Sequence, residues 1–399
     1  MQASVVIRDG SSMKKPQSFI FARNTFFATL MSMIVGTMFV FASNAFAESV
    51  IKGDPLTQKF DEIWGITTIY GDPEEKDKPF VKLRGRYQGQ QYWADGDAAS
   101  NNGWENRRIR LGLDATLSER LEFSFDFNMY RQGGDNLINN FDYISFNYAI
   151  SDDTDISFGK LRRNPLTRED STSSTKILTL ERSILTTRFF IDNVGGAYIN
   201  HKEGNWTLGA GILKGSTEED LRLPTLDGAT LFQVNIANQI SDITEVRLDY
   251  LNNPGDPDNN DVEAFRHVVS LNSSTQSGPL GLITDIIYAE ALPEARGDLF
   301  GIVILPHYML TQRLQLVGRY TYTSSNAGNG IRIPRRYERA TVPEGFEFGD
   351  EHQAIYAGVN YYFYGHKFKL TSGIEYTDFE SENGNTSAIT ASAAFRMYF

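Results

Sequence analysis

The sequence predicts an all-β fold, a 16-stranded antiparallel transmembrane β-barrel, from two features of residues 80–399. The first is a strict alternation of apolar and polar residues in short segments, as in LEFSFDFNMY at 121–130. Such a segment forms a strand with one apolar and one polar face. The second is the sorting of connections, since tight turns such as 151–154 alternate with long loops such as 216–228. Short turns on one rim and long loops on the other are typical of bacterial outer-membrane barrels.

The composition agrees with a barrel rather than with a bundle of membrane-spanning helices. The chain of 399 residues has no cysteine, a formal net charge of −12, 27 phenylalanines and 19 tyrosines, and its mean hydropathy is −0.34. A polar chain rich in aromatic residues suits a lipid-facing band, aromatic girdles and a polar lumen. No apolar run of 18 residues follows residue 47, so no spanning helix is predicted there. An array of secreted β-sandwiches is the alternative, but it gives no reason for loops sorted by length.

The N-terminus has the three parts of an export signal. Basic residues up to Arg23 precede an apolar run at 25–42, and AFA at 45–47 has the small-x-small pattern of a cleavage site. We therefore expect a signal peptide at 1–47 that is cleaved after Ala47. An uncleaved anchor is the alternative, and Met13 is a second possible start of translation.

A periplasmic lead-in and the barrel follow the signal. The lead-in is residues 48–79, with a short helix expected at about 59–69. The predicted strands are 80–93, 104–116, 121–130, 141–150, 155–161, 194–201, 205–214, 229–240, 243–252, 262–274, 279–289, 298–309, 313–324, 352–364, 367–377 and 386–399. The last strand ends on the aromatic Phe399, which we expect the barrel insertion machinery to recognise. That strand must pair with the first one, because an unpaired strand edge cannot exist in lipid.

The third long loop, residues 162–193, differs from its surroundings. It contains six basic residues and four acidic ones, whereas the whole chain is acidic. Its apolar residues would hold it against a wall of the barrel; they are Ile177, Leu178, Leu180, Ile184 and Leu185. Residues 171–175 are expected to cap a short helix beginning near Lys176. We therefore predict that this loop folds inward and narrows the lumen of a barrel that is wide enough to hold water.

Arginines of this loop are the first candidates for a binding site. Arg162, Arg163, Arg168 and Arg182 stay charged, and the planar guanidinium group binds oxyanions through two parallel hydrogen bonds. A ring of arginine and lysine at a constriction favours anions. The loop is therefore predicted to select small anions.

Basic residues on the first two strands extend this candidate site. The residues predicted to line the pore are Lys82, Arg84, Arg86, Arg108 and Arg110. The alternative is that acidic residues on neighbouring strands, Asp114, Glu122 and Asp126, neutralise them. A second basic cluster in the seventh long loop comprises Arg332, Arg335, Arg336 and Arg339. It is expected to pair internally with the acidic residues that follow, Glu344, Glu347, Asp350 and Glu351.

Other functional classes find little support in the sequence. The chain has no cysteine, and its five histidines are scattered without the spacing of metal ligands, so neither a metal site nor a cofactor is predicted. No histidine stands beside a nucleophile in a recognisable setting and Gly-x-Ser-x-Gly is absent, so we do not expect an enzyme. The acidic charge disfavours nucleic-acid binding. A structural or adhesive barrel would conduct no ions.

Four segments resemble a known family. They are RRIRLGLDATLSERLEFSFDFN at 107–128, FDYISFNY at 141–148, DISFGKLRRNP at 155–165 and LTLERSIL at 178–185. Together they resemble the phosphate-selective porin O and P family over about residues 80–200. The resemblance implies a homotrimeric 16-stranded porin in the outer membrane of a Gram-negative cell, passing phosphate or polyphosphate. It implies anion-binding roles for Arg162, Arg163 and Arg182, and also for Lys160 and Arg188.

The charge of the chain departs from this family pattern. Strong phosphate selectivity goes with many basic residues along the pore, yet this chain is acidic, and its long loops contain EED at 218–220. One interpretation is an acidic outer surface above a basic constriction. The other is a general, weakly selective porin for small hydrophilic solutes.

Overall fold

The computed structural model describes residues 54–72, 75, 78–129, 137–161, 166–189, 193–214, 230–254, 265–292, 296–333 and 336–399. The strands in chain order are β1 (Thr68–Tyr70), β2 (Phe80–Gly96), β3 (Ser100–Ser118), β4 (Leu121–Met129), β5 (Ile138–Ser151), β6 (Thr154–Leu161), β7 (Val194–Glu203), β8 (Trp206–Lys214), β9 (Thr230–Ser241), β10 (Thr244–Asn252), β11 (Phe265–Ser277), β12 (Leu280–Ala291), β13 (Leu299–Met309), β14 (Leu314–Ser325), β15 (Ile331–Arg332), β16 (Phe348–Gly349), β17 (Glu351–Tyr364), β18 (Phe368–Ser381) and β19 (Gly384–Tyr398).

Sixteen of these strands, β2–β14 and β17–β19, form a closed antiparallel barrel. Each pairs with the strand before and after it, and β19 pairs with β2 from Ala388 opposite Gly96 to Tyr398 opposite Arg86. The fold class and the pairing of the last strand with the first are therefore confirmed. All sixteen predicted segments are strands, because a two-residue period bounded by turn residues is a strong local signal.

The two faces of the barrel wall differ in the way that the sequence pattern predicts. On β10, Leu248 and Tyr250 are exposed, whereas Arg247 and Asp249 between them are buried. Large apolar side chains are exposed on one face of most of the strands, and this is the outer face of the closed sheet. The inner face carries polar and charged side chains. No helix among the described residues is long and apolar enough to cross a membrane.

The lead-in contains helix α1 (Pro55–Gly65), which begins earlier and ends sooner than predicted. Asp54 caps its first turn by accepting a hydrogen bond from the Thr57 amide at 3.3 Å, and β1 follows. The Trp64 indole donates a hydrogen bond to the carbonyl oxygen of Tyr398 at 2.6 Å. Strand β1 pairs with β2 beyond the end of β19. The lead-in thus completes the seam, which the sequence did not indicate.

The long loop between β6 and β7 contains two short helices, α2 (Arg168–Ser171) and α3 (Ile184–Arg188). The hydroxyl of Thr167 caps α2 at 3.0 Å, and that of Ser183 caps α3 at 3.1 Å. The predicted helix near Lys176 is wrong, because residues 174–176 form a turn. The capping residue that works is Ser183, which stands directly before the apolar pair Ile184-Leu185.

Candidate functional site

Apolar side chains fix the loop between β6 and β7 to the barrel. Leu180, Ile184, Leu185 and Phe189 are buried in one cluster with residues of β7–β14, among them Val303. Leu185 is fully buried beneath Gly301 of β13, where an added Cβ would lie 2.3 Å from the Leu185 Cδ1 atom. Glycine at this position therefore makes room for the leucine. The predicted packing of these apolar residues against the wall is confirmed.

Polar side chains on the inner face hold the same loop through its backbone carbonyl oxygens. Lys369 of β18 donates to the Ile177 carbonyl at 2.7 Å, and Asn360 of β17 donates to the Leu178 carbonyl at 2.8 Å. Arg396 of β19 donates to the Leu180 carbonyl. Residues 177–180 lack regular secondary structure, so these donors satisfy carbonyl groups that would otherwise be buried without partners.

Arg319 of β14 ties the loop to the barrel by charge. Its guanidinium lies 2.5 Å from Glu169 of α2 and 2.5 Å from Glu375 of β18. Glu169 also accepts hydrogen bonds from the amide of Ser183 at 2.9 Å and from its hydroxyl at 2.6 Å. Burial acts to raise the pKa of Glu169, but Arg319 and these hydrogen bonds hold it below its ordinary value. Glu169 is therefore ionised at neutral pH.

The two predicted loop arginines that the structure describes, Arg168 and Arg182, have separate partners. Arg162 and Arg163 lie outside the described residues. Arg168 pairs with Glu245 of β10 at 2.5 Å. Arg182 donates to the Thr172 carbonyl at 2.9 Å and lies 3.7 Å from Asp170, so its partners are within the loop.

The two remaining residues of the predicted loop site also have structural partners. Lys160 donates to the Phe141 carbonyl at 3.1 Å. Arg188 is buried with its guanidinium 5.3 Å from the centre of the Phe265 ring. Neither of them lines the cavity described below, so their role in anion binding stays a prediction.

Some of the basic residues predicted on β2 and β3 are neutralised by carboxylates of neighbouring strands, and others are not. Arg84 pairs with Asp114 at 2.8 Å and with Asp126 at 3.0 Å, as the neutralised alternative expects. Arg110 likewise pairs with Asp142. The Arg86 guanidinium instead donates to the Ser174 hydroxyl at 2.6 Å, and Arg108 donates to the Gln88 side chain at 2.8 Å. Lys82 is half-buried. No carboxylate of the described residues lies within 4 Å of Arg108.

A β-bulge places a further arginine on the inner face. Gln88 of β2 faces Arg108 of β3, but the next residue, Gly89, faces Asn106, so Arg107 has no opposite residue. Both Arg107 and Arg108 consequently reach inner-face partners. Strict alternation would have put Arg107 outside, which is why the sequence analysis missed it.

The structure corrects the expectation that the arginines of the seventh long loop pair within that loop. Arg336 does not pair internally; it lies 2.7 Å from Glu105 of β3 and 3.5 Å from Glu181 of the third loop. The predicted internal pairing is wrong for Arg336, because its acidic partners lie on β3 and on the third loop. It holds for Arg339, which is 3.7 Å from Glu347, and Arg335 lies outside the described residues.

These groups surround a cavity of about 500 Å³ beside the third loop. Its charged lining residues are Arg107, Arg108, Arg182, Arg319, Arg336, Glu105, Glu181, Glu338 and Glu375. Burial acts to raise the pKa of Glu181, but Arg107, Arg336 and Arg108 hold it well below its ordinary value. Among the described residues, no group of three or more histidine or acidic side chains could hold a metal ion. The cavity is thus lined by five arginines and four glutamates.

A closed antiparallel barrel of sixteen strands, with large apolar side chains exposed on its outer face, has the fold of outer-membrane porins. Three solved structures share the fold. The outer membrane channel DcaP of Acinetobacter baumannii is 12% identical, with 82% of this chain and 99% of that chain covered and a TM-score of 0.52. OmpF of Salmonella typhi in complex with daunomycin is 12% identical, with 82% and 100% covered and a TM-score of 0.53, and the trimer form of in-vitro folded OmpT of Vibrio cholerae is 13% identical, with 81% and 100% covered and a TM-score of 0.50. At these identities the likeness concerns the fold.

The family match is more particular. Residues 81–238 match the family model described as phosphate-selective porin O and P. Over these residues the resemblance seen in the sequence is confirmed, and together with the barrel fold it indicates the outer membrane of a Gram-negative cell. None of the curated proteins compared with the chain matches it.

The contact between Gly301 and Leu185 gives a first prediction. Gly301→Val is expected to displace the loop, because no room exists for side-chain atoms beside Leu185, and overpacking of this kind costs about 1–3 kcal/mol. Single-channel conductance should rise. The matched control is Gly318→Val on the outer face of β14, where an added Cβ would meet its nearest atom, the Pro306 Cγ, at 3.5 Å. Equal conductance of both variants and the parent would contradict the prediction.

Glu338 gives a pH-dependent prediction. Burial, followed by the charge of Glu375, raises the pKa of Glu338 to about 7 from an ordinary 4.5. The folded protein thus favours the protonated form, so the stability of the fold falls as the pH rises from the ordinary pKa to about 7. Glu338 ionises in the folded protein near pH 7 and adds a negative charge to the cavity, so anion preference should fall from pH 6 to pH 8. The anion preference is measured from reversal potentials in a salt gradient at each pH. Glu338→Gln should make this preference depend less on pH.

Proposed function

We propose that the protein forms a water-filled channel for the passive diffusion of small anions, with phosphate or polyphosphate among its solutes. The observation that supports this most directly is Arg108. It lines the cavity beside the third loop, and no carboxylate of the described residues lies within 4 Å of it. Guanidinium groups stay ionised in proteins and bind oxyanions well. The description of the matching family, phosphate-selective porin O and P, points to the same class of solute.

The third loop is the element that we propose narrows this channel. Its contacts reach the inner-face side chains of β2, β3, β14, β17, β18 and β19, among them Gln88, whose amide donates to the Ser174 carbonyl at 2.8 Å. A segment held from several sides of a barrel reduces the open cross-section. Arg162 and Arg163 remain proposed anion ligands on the same loop.

A general, weakly selective porin is the second candidate function. It is favoured by the neutralisation of Arg84 by Asp114 and Asp126 and of Arg110 by Asp142. A channel in which most arginines have carboxylate partners presents a small net positive charge. Selectivity would then be modest, as in a porin that admits small hydrophilic solutes of either sign.

The remaining proposals concern maturation and assembly. We propose a signal peptide at 1–47, a periplasmic lead-in at 48–79 and a barrel at 80–399. A homotrimer is supported by the trimer form of the structurally similar OmpT. The outer surface of each barrel would contact lipid wherever it does not contact another subunit.

Arg108→Glu tests the anion preference. In a planar bilayer with a tenfold salt gradient, the parent is expected to prefer chloride. The variant replaces a positive with a negative charge in a narrow, partly desolvated passage, where charges interact more strongly than in water. Its reversal potential should shift toward cation preference, with a fall of roughly fivefold in the permeability ratio. The control is Arg120→Glu in an exposed turn; if both variants shift equally, Arg108 does not face the conducting path.

Competition between anions separates the two candidate functions. Millimolar phosphate should reduce the chloride current more than the same concentration of sulfate if the channel prefers phosphate. The physical reason is that a phosphate bound to the arginines dissociates slowly compared with chloride and occupies the passage. An equal effect of both anions, or none, would identify a general porin.

A further inference from the structure

One carboxylate occupies the centre of the arginine cluster beside the third loop. The Glu181 side chain accepts two hydrogen bonds from Arg107, from Nε at 2.9 Å and from Nη2 at 3.3 Å. The Gln90 amide donates to it at 3.1 Å, and the Arg336 Nε lies 3.5 Å away. The donors thus come from β2, β3 and the loop between β14 and β17.

The donors around Glu181 form a receptor for an oxyanion that offers two neighbouring oxygens, as a carboxylate or a phosphate does. A guanidinium that binds both oxygens of a carboxylate, with an amide and a second guanidinium beside it, is the arrangement by which proteins bind free carboxylates and phosphates. Two more arginines are close. Arg108 follows Arg107 in β3, and Arg396 donates to the carbonyl of Leu180, the residue before Glu181. No ion pair of Arg108 or Arg396 exists among the described residues.

We infer that Glu181 is a resident counter-ion that occupies the oxyanion receptor of the channel and sets its specificity. This inference rests on the proposed anion channel. A permeating oxyanion exchanges with the Glu181 carboxylate on Arg107 and Arg336. Because Glu181 belongs to the same chain, its effective concentration at the receptor is in the millimolar range or higher. Solutes at lower concentration therefore bind weakly and pass on, and the arginines never remain unpaired between passages.

The position of Glu181 supports such an exchange. About a quarter of its side chain is exposed, 26%, and it lines the cavity that solutes would enter. Glu169 differs, since its side chain is only 4% exposed and is enclosed by Arg319 and Ser183. Of the two glutamates of this loop, Glu169 fixes the loop, and Glu181 faces a space in which a competing anion can reach the same arginines.

The experiment compares Glu181→Gln with the parent. The amide keeps the shape of the side chain but removes the charge, so Arg107 becomes available to a free anion, as does the Nε of Arg336, whose Nη1 stays on Glu105. The half-blocking concentration of inorganic phosphate, measured on the chloride current, should fall about tenfold. The control is Glu122→Gln on β4, which removes a negative charge from the wall of a separate cavity of about 290 Å³. It should change the half-blocking concentration less than twofold.

Three outcomes overturn the inference. The first is a Glu181→Gln channel with an unchanged half-blocking concentration. The second is an equal effect of Glu122→Gln, which would show that only the net charge of the lumen matters. The third is weaker phosphate block in the variant, which would make Glu181 a structural support of the cluster. If the parent prefers anions and Arg108→Glu reverses that preference, the proposed function stands in all three cases.

A second variant keeps the test decisive if Glu181→Gln does not fold. Glu181→Asp keeps the charge and shortens the side chain by one methylene group, so the carboxylate reaches fewer of its three partners. Phosphate block should then be intermediate between the parent and a channel without the carboxylate. A half-blocking concentration equal to or above that of the parent would contradict the inference.

Discussion

The structure depends on the requirement that every backbone polar group of a strand in lipid has a hydrogen-bond partner. An unpaired group costs several kcal/mol in a hydrocarbon environment, so an open sheet is excluded. Here the seam is complete to its end, because Phe399 and Gly85 exchange two hydrogen bonds of 3.0 Å and the Leu83 amide donates to the Thr67 carbonyl at 2.8 Å. Closure fixes which face of each strand is inside. It thereby decides which side chains the third loop meets.

The third loop has two different sides, and both are needed to hold it. Its apolar side chains pack on β7–β14, while its carbonyl groups and Glu169 face charged donors from β14, β18 and β19 and an amide donor from β17. A buried ion pair such as Arg319 with Glu169 contributes little net stability, because desolvation of both groups offsets their attraction. The ion pair instead fixes the position of the loop, because any other position would leave a buried charge without its partner. The apolar contacts supply the affinity of the loop for the wall, and the ion pairs fix its orientation.

Charge balance explains how an acidic chain can contain the anion site that we propose. Many arginines of the inner face are neutralised by carboxylates on neighbouring strands, as Arg84 is by Asp114 and Asp126. The positive charge that remains is local. Arg108 has no carboxylate within 4 Å among the described residues, and several arginines share Glu181. Selectivity in such a channel depends on a few groups at the narrowest part rather than on the total charge of the protein.

The sequence alone determined the strands, the closure of the barrel, the identity of the apolar residues that hold the third loop, and two arginines of the cavity, Arg108 and Arg182. These follow from local signals, namely a period of two residues and clusters of turn residues. The tertiary structure alone decided which charges meet. Arg319 and Glu169 are 150 residues apart, and nothing local in either segment specifies the other. The bulge that turns Arg107 inward and the pairing of β1 with β2 are of the same kind, because each depends on a register between strands that only the closed barrel fixes.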